Sequence, residues 1–106
     1  MMPQVIMVWC TFPDVETARV AAKSIISEAL AACVNITPGV ESHFQWQGQY
    51  ETANEVLTIW KTSRDGWDAF CSRLKELHPY ETPEIIATEV VAGHPAYLAW
   101  VAETVS

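Results

Sequence analysis

The stretch that most constrains this chain is VESHFQWQGQYETANEVLTIWKTS, residues 40–63. Its first part alternates. Val40, Ser42, Phe44 and Trp46 fall on one side, and Glu41, His43, Gln45 and Gln47 on the other, which is the period of an extended strand. ETAN at 51–54 reads as a polar turn, and EVLTIWKTS at 55–63 returns as a second strand. The resulting β-hairpin is longer than a compact domain of 106 residues can cover by itself. A fold that contains it must bury its apolar side chains against something outside the subunit.

The remaining elements are spaced around that hairpin. QVIMVWCTF (4–12) is a continuous β-branched and aromatic run of strand length, as expected for a central strand buried on both faces. Asp14 can cap a helix behind it, and Glu16 suits the positive end of that helix. Ala18, Ala22, Ile25 and Ala29 then recur at helical spacing with Ala21 and Ile26 beside them, leaving Arg19, Lys23 and Glu28 on the other side. AACVNI (31–36) is a further strand, and Pro38-Gly39 must kink or bulge its continuation into residue 40. After the hairpin, Ser63 or Asp65 caps a second helix with Trp67, Phe70, Leu74 and Leu77 as its stripe and Cys71 on the same side. Pro79 ends it, EIIATEVVA (84–92) forms a fourth strand, and residues 95–105 form a short helix with Tyr97, Leu98, Trp100 and Val101 for packing.

The order is β-α-β-β-α-β plus a C-terminal helix in a single domain over residues 1–106. This predicts an α+β, ferredoxin-like sandwich: an antiparallel sheet with both crossover helices on one face and an extended β2–β3 hairpin. Val8, Trp9, Leu57, Ile59 and Trp60 put apolar groups on both faces of that sheet. A lone subunit would leave one face bare, so a homo-oligomer is expected.

Composition narrows the function. The net charge is −7, with only six Lys and Arg. Counterion-driven binding to nucleic acid or to anionic lipid needs basic patches, so neither partner is expected. MMPQ has no basic leader region, and VIMVWC is too short for a signal peptide or a membrane span, so a cytoplasmic protein is expected. Three cysteines without a CxxC spacing argue against a disulfide framework and a Cys-rich zinc site. Five Trp in so short a chain suggest subunit contacts, and Trp46 and Trp60, read as opposite one another in the hairpin, fit such packing. No Ser/His/Asp set, Gly-rich phosphate loop or HExxH is present, so neither an enzyme nor an organic cofactor is expected.

LAACVNITPGVES, WQGQYETANEVLTIWKTS, HPYETPEII and YLAW stand in the order and spacing of the CutA family, the divalent-cation tolerance proteins, which the chain resembles over nearly its whole length. The resemblance implies a tight homotrimer joined through the long hairpins, with an architecture similar to that of the PII signalling proteins. It also implies binding of copper(II) or another divalent cation. Within the family a metal site is linked to a Cys of the first strand, a His beside the His-Pro-Tyr motif and the Glu of Pro-Glu. Here those positions are Cys10, the Leu77–His78 pair and Glu84. Leu77 stands where the ligand histidine can be, so His78 would have to substitute.

Each residue also has a structural reading. Cys10 is either a ligand for a soft or borderline metal or a small core residue. His78 either projects as a ligand or caps the helix end. Glu84 pairs with a cation or accepts a hydrogen bond from a neighbouring subunit. Cys33 and Cys71 read as packing residues, and His43 and His94 as solvated surface groups. Lys61, in an otherwise apolar strand, can send its ammonium into an intersubunit cleft, where Glu84 or an anionic ligand would pair with it. The alternative function is a signalling or scaffold trimer that binds a small ligand or partner in that cleft, near Lys61, Tyr80 and Trp46.

Overall fold

A computed structural model describes residues 4–105. Their order is β1 (Val5–Phe12), α1 (Val15–Ser27), β2 (Cys33–Trp46), β3 (Gln49–Ser63), a 3₁₀ turn at Arg64–Gly66, α2 (Trp67–Leu77), β4 (Ile85–Glu89) and α3 (Pro95–Thr104). The four strands form one antiparallel sheet in the order β2-β3-β1-β4. The βαββαβ plan with a C-terminal helix is the one the sequence predicts.

Two of the local signals work as expected and one is displaced. Asp14 caps α1, its carboxylate accepting from the Thr17 N–H at 2.7 Å. Ser63 caps the 3₁₀ turn, accepting from the Gly66 N–H at 3.2 Å, and not α2 itself, which starts after Gly66 with no side-chain cap. The register of β2 against β3 shifts between Thr37 and Val40, and Gly39 lies at φ 80°, so the Pro38-Gly39 bulge is present.

Two boundaries and one pairing differ from expectation. The hairpin reverses at Gln47-Gly48, both at positive φ, and residues 51–54 are strand rather than turn. Two consecutive left-handed residues give the tight turn whose twist matches the flanking strands. The fourth strand is Ile85–Glu89, shorter than 84–92, because β1 offers it partners only from Ile6 to Cys10. Trp46 pairs with Gln49 and Trp60 with Val34, so the two Trp are far apart along the ribbon rather than opposed.

Strand parity sorts the core. Val8, Cys10, Phe12, Val56 and Trp60 face Ala18, Ala21 and Ile25 of α1 and Phe70 and Leu74 of α2, and all are buried. Trp60 meets Phe70 edge-on, with ring centroids 5.5 Å apart, and its indole N–H donates to Thr58 at 2.8 Å. The opposite face carries Val5, Met7, Trp9, Leu57, Ile59 and Lys61. α3 crosses one end of it, where Leu98 and Val101 pack on Val5 and Ala32. Tyr97 and Trp100 of the same helix stay 41% and 44% exposed, not packed as expected. The rest of that face is open, and the hairpin tip extends beyond the helices, so the subunit measures 47 × 26 × 23 Å. Among the described residues no helix is long and apolar enough to cross a membrane.

Candidate functional site

The end of β1, the α2–β4 connection and the middle of β3 meet at one end of the sheet. Cys10 lies in register between Thr58 of β3 and Ile85 of β4, and Glu84 directly precedes Ile85. His78 follows the last turn of α2, and Pro79 holds its backbone extended (φ −81°, ψ 135°). Cys10, His78 and Glu84 therefore arrive from three segments at neighbouring positions.

Their chemistry is specific. Cys10 is fully buried, and its thiol donates weakly to the Thr11 carbonyl at 3.8 Å. Burial, then the negative charge of Glu84, pushes the thiol up to about 12, against a weaker opposing hydrogen bond from Thr58. His78 is buried too, with its ring stacked on Phe12 at a centroid distance of 4.3 Å. Its Nε2 sits 2.6 Å from the Thr11 carbonyl, and its Nδ1 accepts from the Tyr80 N–H at 3.1 Å. Those partners assign the proton to Nε2. Burial holds the imidazole below its ordinary pKa, with the Thr11 contact and the Glu55 charge opposing.

As folded, the thiol keeps its proton and both imidazole nitrogens are committed. Among the described residues no three His, Cys, Asp or Glu are arranged to hold an ion. The trio is thus adjacent without being a preformed site. An ion bound there would have to displace a proton from Cys10 and free His78 from Thr11 or Tyr80.

Beside the trio lies an open groove of about 600 Å³, lined by Phe44 and Trp46 of the hairpin, Glu55 of β3, and Tyr80, Glu81 and Glu84 of the connection. Sequence reasoning misses Glu55, because it stands at the start of a strand expected to follow a turn. It is only 9% exposed, and the Tyr80 hydroxyl donates to its Oε2 at 2.9 Å. Burial, then the Glu55 carboxylate, pushes the Tyr80 phenol up to about 12. Tyr80 and Trp46 therefore share one site. Lys61 does not line it. Its register partners are Met7 and Cys33, and its ammonium donates to the Asn35 side-chain oxygen rather than to Glu84.

The two other histidines have partners that sequence alone does not signal. His43 bridges Glu41 and Tyr50 across the hairpin, each at 2.5 Å. His94 caps α3, its Nδ1 accepting from the Tyr97 N–H at 3.4 Å.

Comparison with known proteins gives a consistent result. The profile of the family described as CutA1 divalent ion tolerance protein matches residues 6–104. The divalent-cation tolerance protein CutA of Thermus thermophilus is 41% identical over 102 residues, covering 96% of this chain and 97% of that one. Protein CutA 1, chloroplastic, of Oryza sativa subsp. japonica is 45% identical over 95 residues, 90% of this chain but 54% of the longer rice protein. The crystal structure of CutA1 from Oryza sativa superposes with a TM-score of 0.95 at 41% identity, covering 99% of this chain and 96% of that one.

Proposed function

The chain belongs to the CutA1 divalent ion tolerance family, and from that premise we propose that it works as a homotrimer that binds a divalent cation, copper(II) among them, and catalyses no reaction. The observation that carries the assembly is the uncovered side of the sheet. Met7, Trp9, Leu57 and Ile59 are only half-buried there, Ile86 is 56% exposed, and the hairpin tip leaves Phe44, Trp46 and Tyr50 in solvent. Apolar surface of that extent on a soluble subunit marks an interface. Light scattering should report three chains, and Ile59→Lys should lower the mass toward one chain while the circular dichroism of the subunit persists. A wild-type mass of one chain at micromolar concentration would sink the assembly.

The cation site is assigned to Cys10, His78 and Glu84, supported by their adjacency. Chelator-treated protein titrated with Cu(II) should lose about tenfold or more in affinity in Cys10→Ala, His78→Ala and Glu84→Gln. Equal affinity in all three would reject the site without touching the assembly. Occupancy should also move the His78 ring resonances, because the ring must leave Thr11 or Tyr80. The cytoplasm is the proposed location, in keeping with three free thiols. Nucleic acid is not a proposed partner, given the net charge of −7.

A second reading is a PII-like signalling trimer with a small ligand in a cleft. What favours it is the groove itself, which joins two of the three residues assigned to that cleft, Tyr80 and Trp46.

A further inference from the structure

We propose that the polar side of the hairpin carries a second divalent-cation site, held by Glu41 and His43, apart from the one assigned to Cys10, His78 and Glu84. The ladder brings its donors together. Glu41 and His43 lie two residues apart in β2, so they share a face at a backbone spacing of about 7 Å. Their partners across the ladder in β3 are Asn54 and Thr52, and the next pair along is Gln45 with Tyr50. Glu41, Thr52 and Asn54 line an open recess of about 360 Å³. Strand parity keeps this face off the proposed subunit contact, because Phe44 and Trp46 lie on the opposite side of the ribbon. Composition agrees with parity. The side assigned to the contact carries Phe44 and Trp46, whereas this side, apart from Tyr50, is built of Glu41, His43, Gln45, Thr52 and Asn54.

His43 Nε2 lies 2.5 Å from Glu41 Oε2, and its Nδ1 lies 2.5 Å from the Tyr50 hydroxyl. An ion shared by an imidazole nitrogen and a carboxylate oxygen holds the two atoms about 3 Å apart. The His43 and Glu41 side chains are 46% and 71% exposed, so they can part by that small amount. The proton between them then leaves to water as the ion enters. Tyr50 supplies the support that a ligating imidazole needs behind it. With the Nδ1 proton donated to the Tyr50 hydroxyl, Nε2 presents its lone pair to the ion. The stacking of the two rings, with centroids 5.8 Å apart, holds the imidazole in that orientation. Among the described residues no third His, Cys, Asp or Glu completes the set. The oxygens of Asn54 and Thr52 and water are left for the remaining positions. One imidazole with oxygen donors and no thiolate suits a borderline divalent ion, and copper(II) binds such sets most tightly. Access separates this site from the other. The Cys10 thiol and the His78 ring are buried and committed to their partners, whereas Glu41 and His43 both reach solvent.

The test titrates Cu(II) into the whole, assembled, chelator-treated protein carrying Cys10→Ala, which removes the other site. One ion per chain should still bind, and its electron paramagnetic resonance should show coupling to one imidazole nitrogen and no sulfur ligand. Adding His43→Ala or Glu41→Gln should lower the affinity about tenfold or more, and Tyr50→Phe several-fold through the ring it orients. His94→Gln, which removes the exposed imidazole that caps α3, should change nothing. Unchanged affinity in Glu41→Gln would reduce the site to a lone imidazole and overturn it. A loss in His94→Gln equal to that in His43→Ala would mean scattered surface binding and also overturn it. Absence of any bound ion in the Cys10→Ala assembly, as when another copy covers this face, would overturn it too. The Cys10 site is judged separately, by the difference between wild type and Cys10→Ala. If only the hairpin site exists, the two bind one ion per chain with equal affinity.

Discussion

The root and the tip of the hairpin are built from similar residues and live in opposite surroundings. At the root, Val56, Thr58, Trp60 and Thr62 are buried beneath two helices. At the tip, Phe44, Trp46 and Tyr50 are 42%, 51% and 71% exposed. The strands do not change character between the two. What changes is whether the chain has an element left to cover them. α1 and α2 serve the root, α3 covers one end of the open face, and no helix among the described residues packs on the tip. The root is where the subunit stabilises itself, and the tip is where it has surface to offer.

Removing the largest root side chain should break this contrast most. Trp60→Ala takes out a fully buried indole, its edge contact with Phe70 and its bond to Thr58. The expected cost is about 4 kcal/mol of subunit stability, from lost burial plus the cavity left behind. Chemical denaturation should show it as a lower midpoint. A loss below about 1 kcal/mol would mean that the root is not the stabilising half.

Sequence alone separated root from tip only in part. Alternation over residues 40–46 and the apolar run at 4–12 were enough for the strand order, since a buried face imposes a period of two. The turn was misplaced for the complementary reason. Glu51, Thr52 and Asn54 are strand residues exposed to solvent, so no buried face imposes a pattern on them and they read as a loop. Gln47 hides the true turn, because Gln gives little hint of positive φ. The site was legible as residues and not as bonds. Cys10, His78 and Glu84 are the residues that the motif resemblance singles out, and the described structure holds no preformed set of three ligands among them. The commitment of His78 depends on Thr11, 67 positions away, and the role of Glu55 depends on Tyr80, 25 positions away. No local spacing encodes either contact.

His78 stands where root and tip meet, stacked on Phe12 and next to Tyr80 of the groove. It sharpens the comparison through pH. Its folded-state pKa is held below the ordinary 6.5, chiefly by burial. Above that pH the ring is neutral in both folded and unfolded chains, and its contacts contribute fully. Below it the unfolded chain takes up the proton first, so stability falls as pH drops through 6.5 toward the lower folded value. Denaturation of chelator-treated protein between pH 7.5 and 5 should show this slope, and His78→Gln should flatten it. An unchanged slope would show that the dependence does not come from His78.

The smallest effect belongs to the tip. Gln47 sits at φ 50° and Gly48 at φ 79°, a pair of left-handed residues for which Asn-Gly is the favoured sequence. Gln carries a steric penalty there that Asn relieves through local hydrogen bonding. Gln47→Asn should therefore stabilise the turn by about 0.5 kcal/mol. If root and tip open separately, that gain appears as slower amide exchange at Trp46 and Gln49, with the global denaturation midpoint nearly unchanged. If the midpoint rises in step with the exchange protection, the ribbon unfolds as one unit with the core. Root and tip would then differ in solvent exposure alone, not in independent stability.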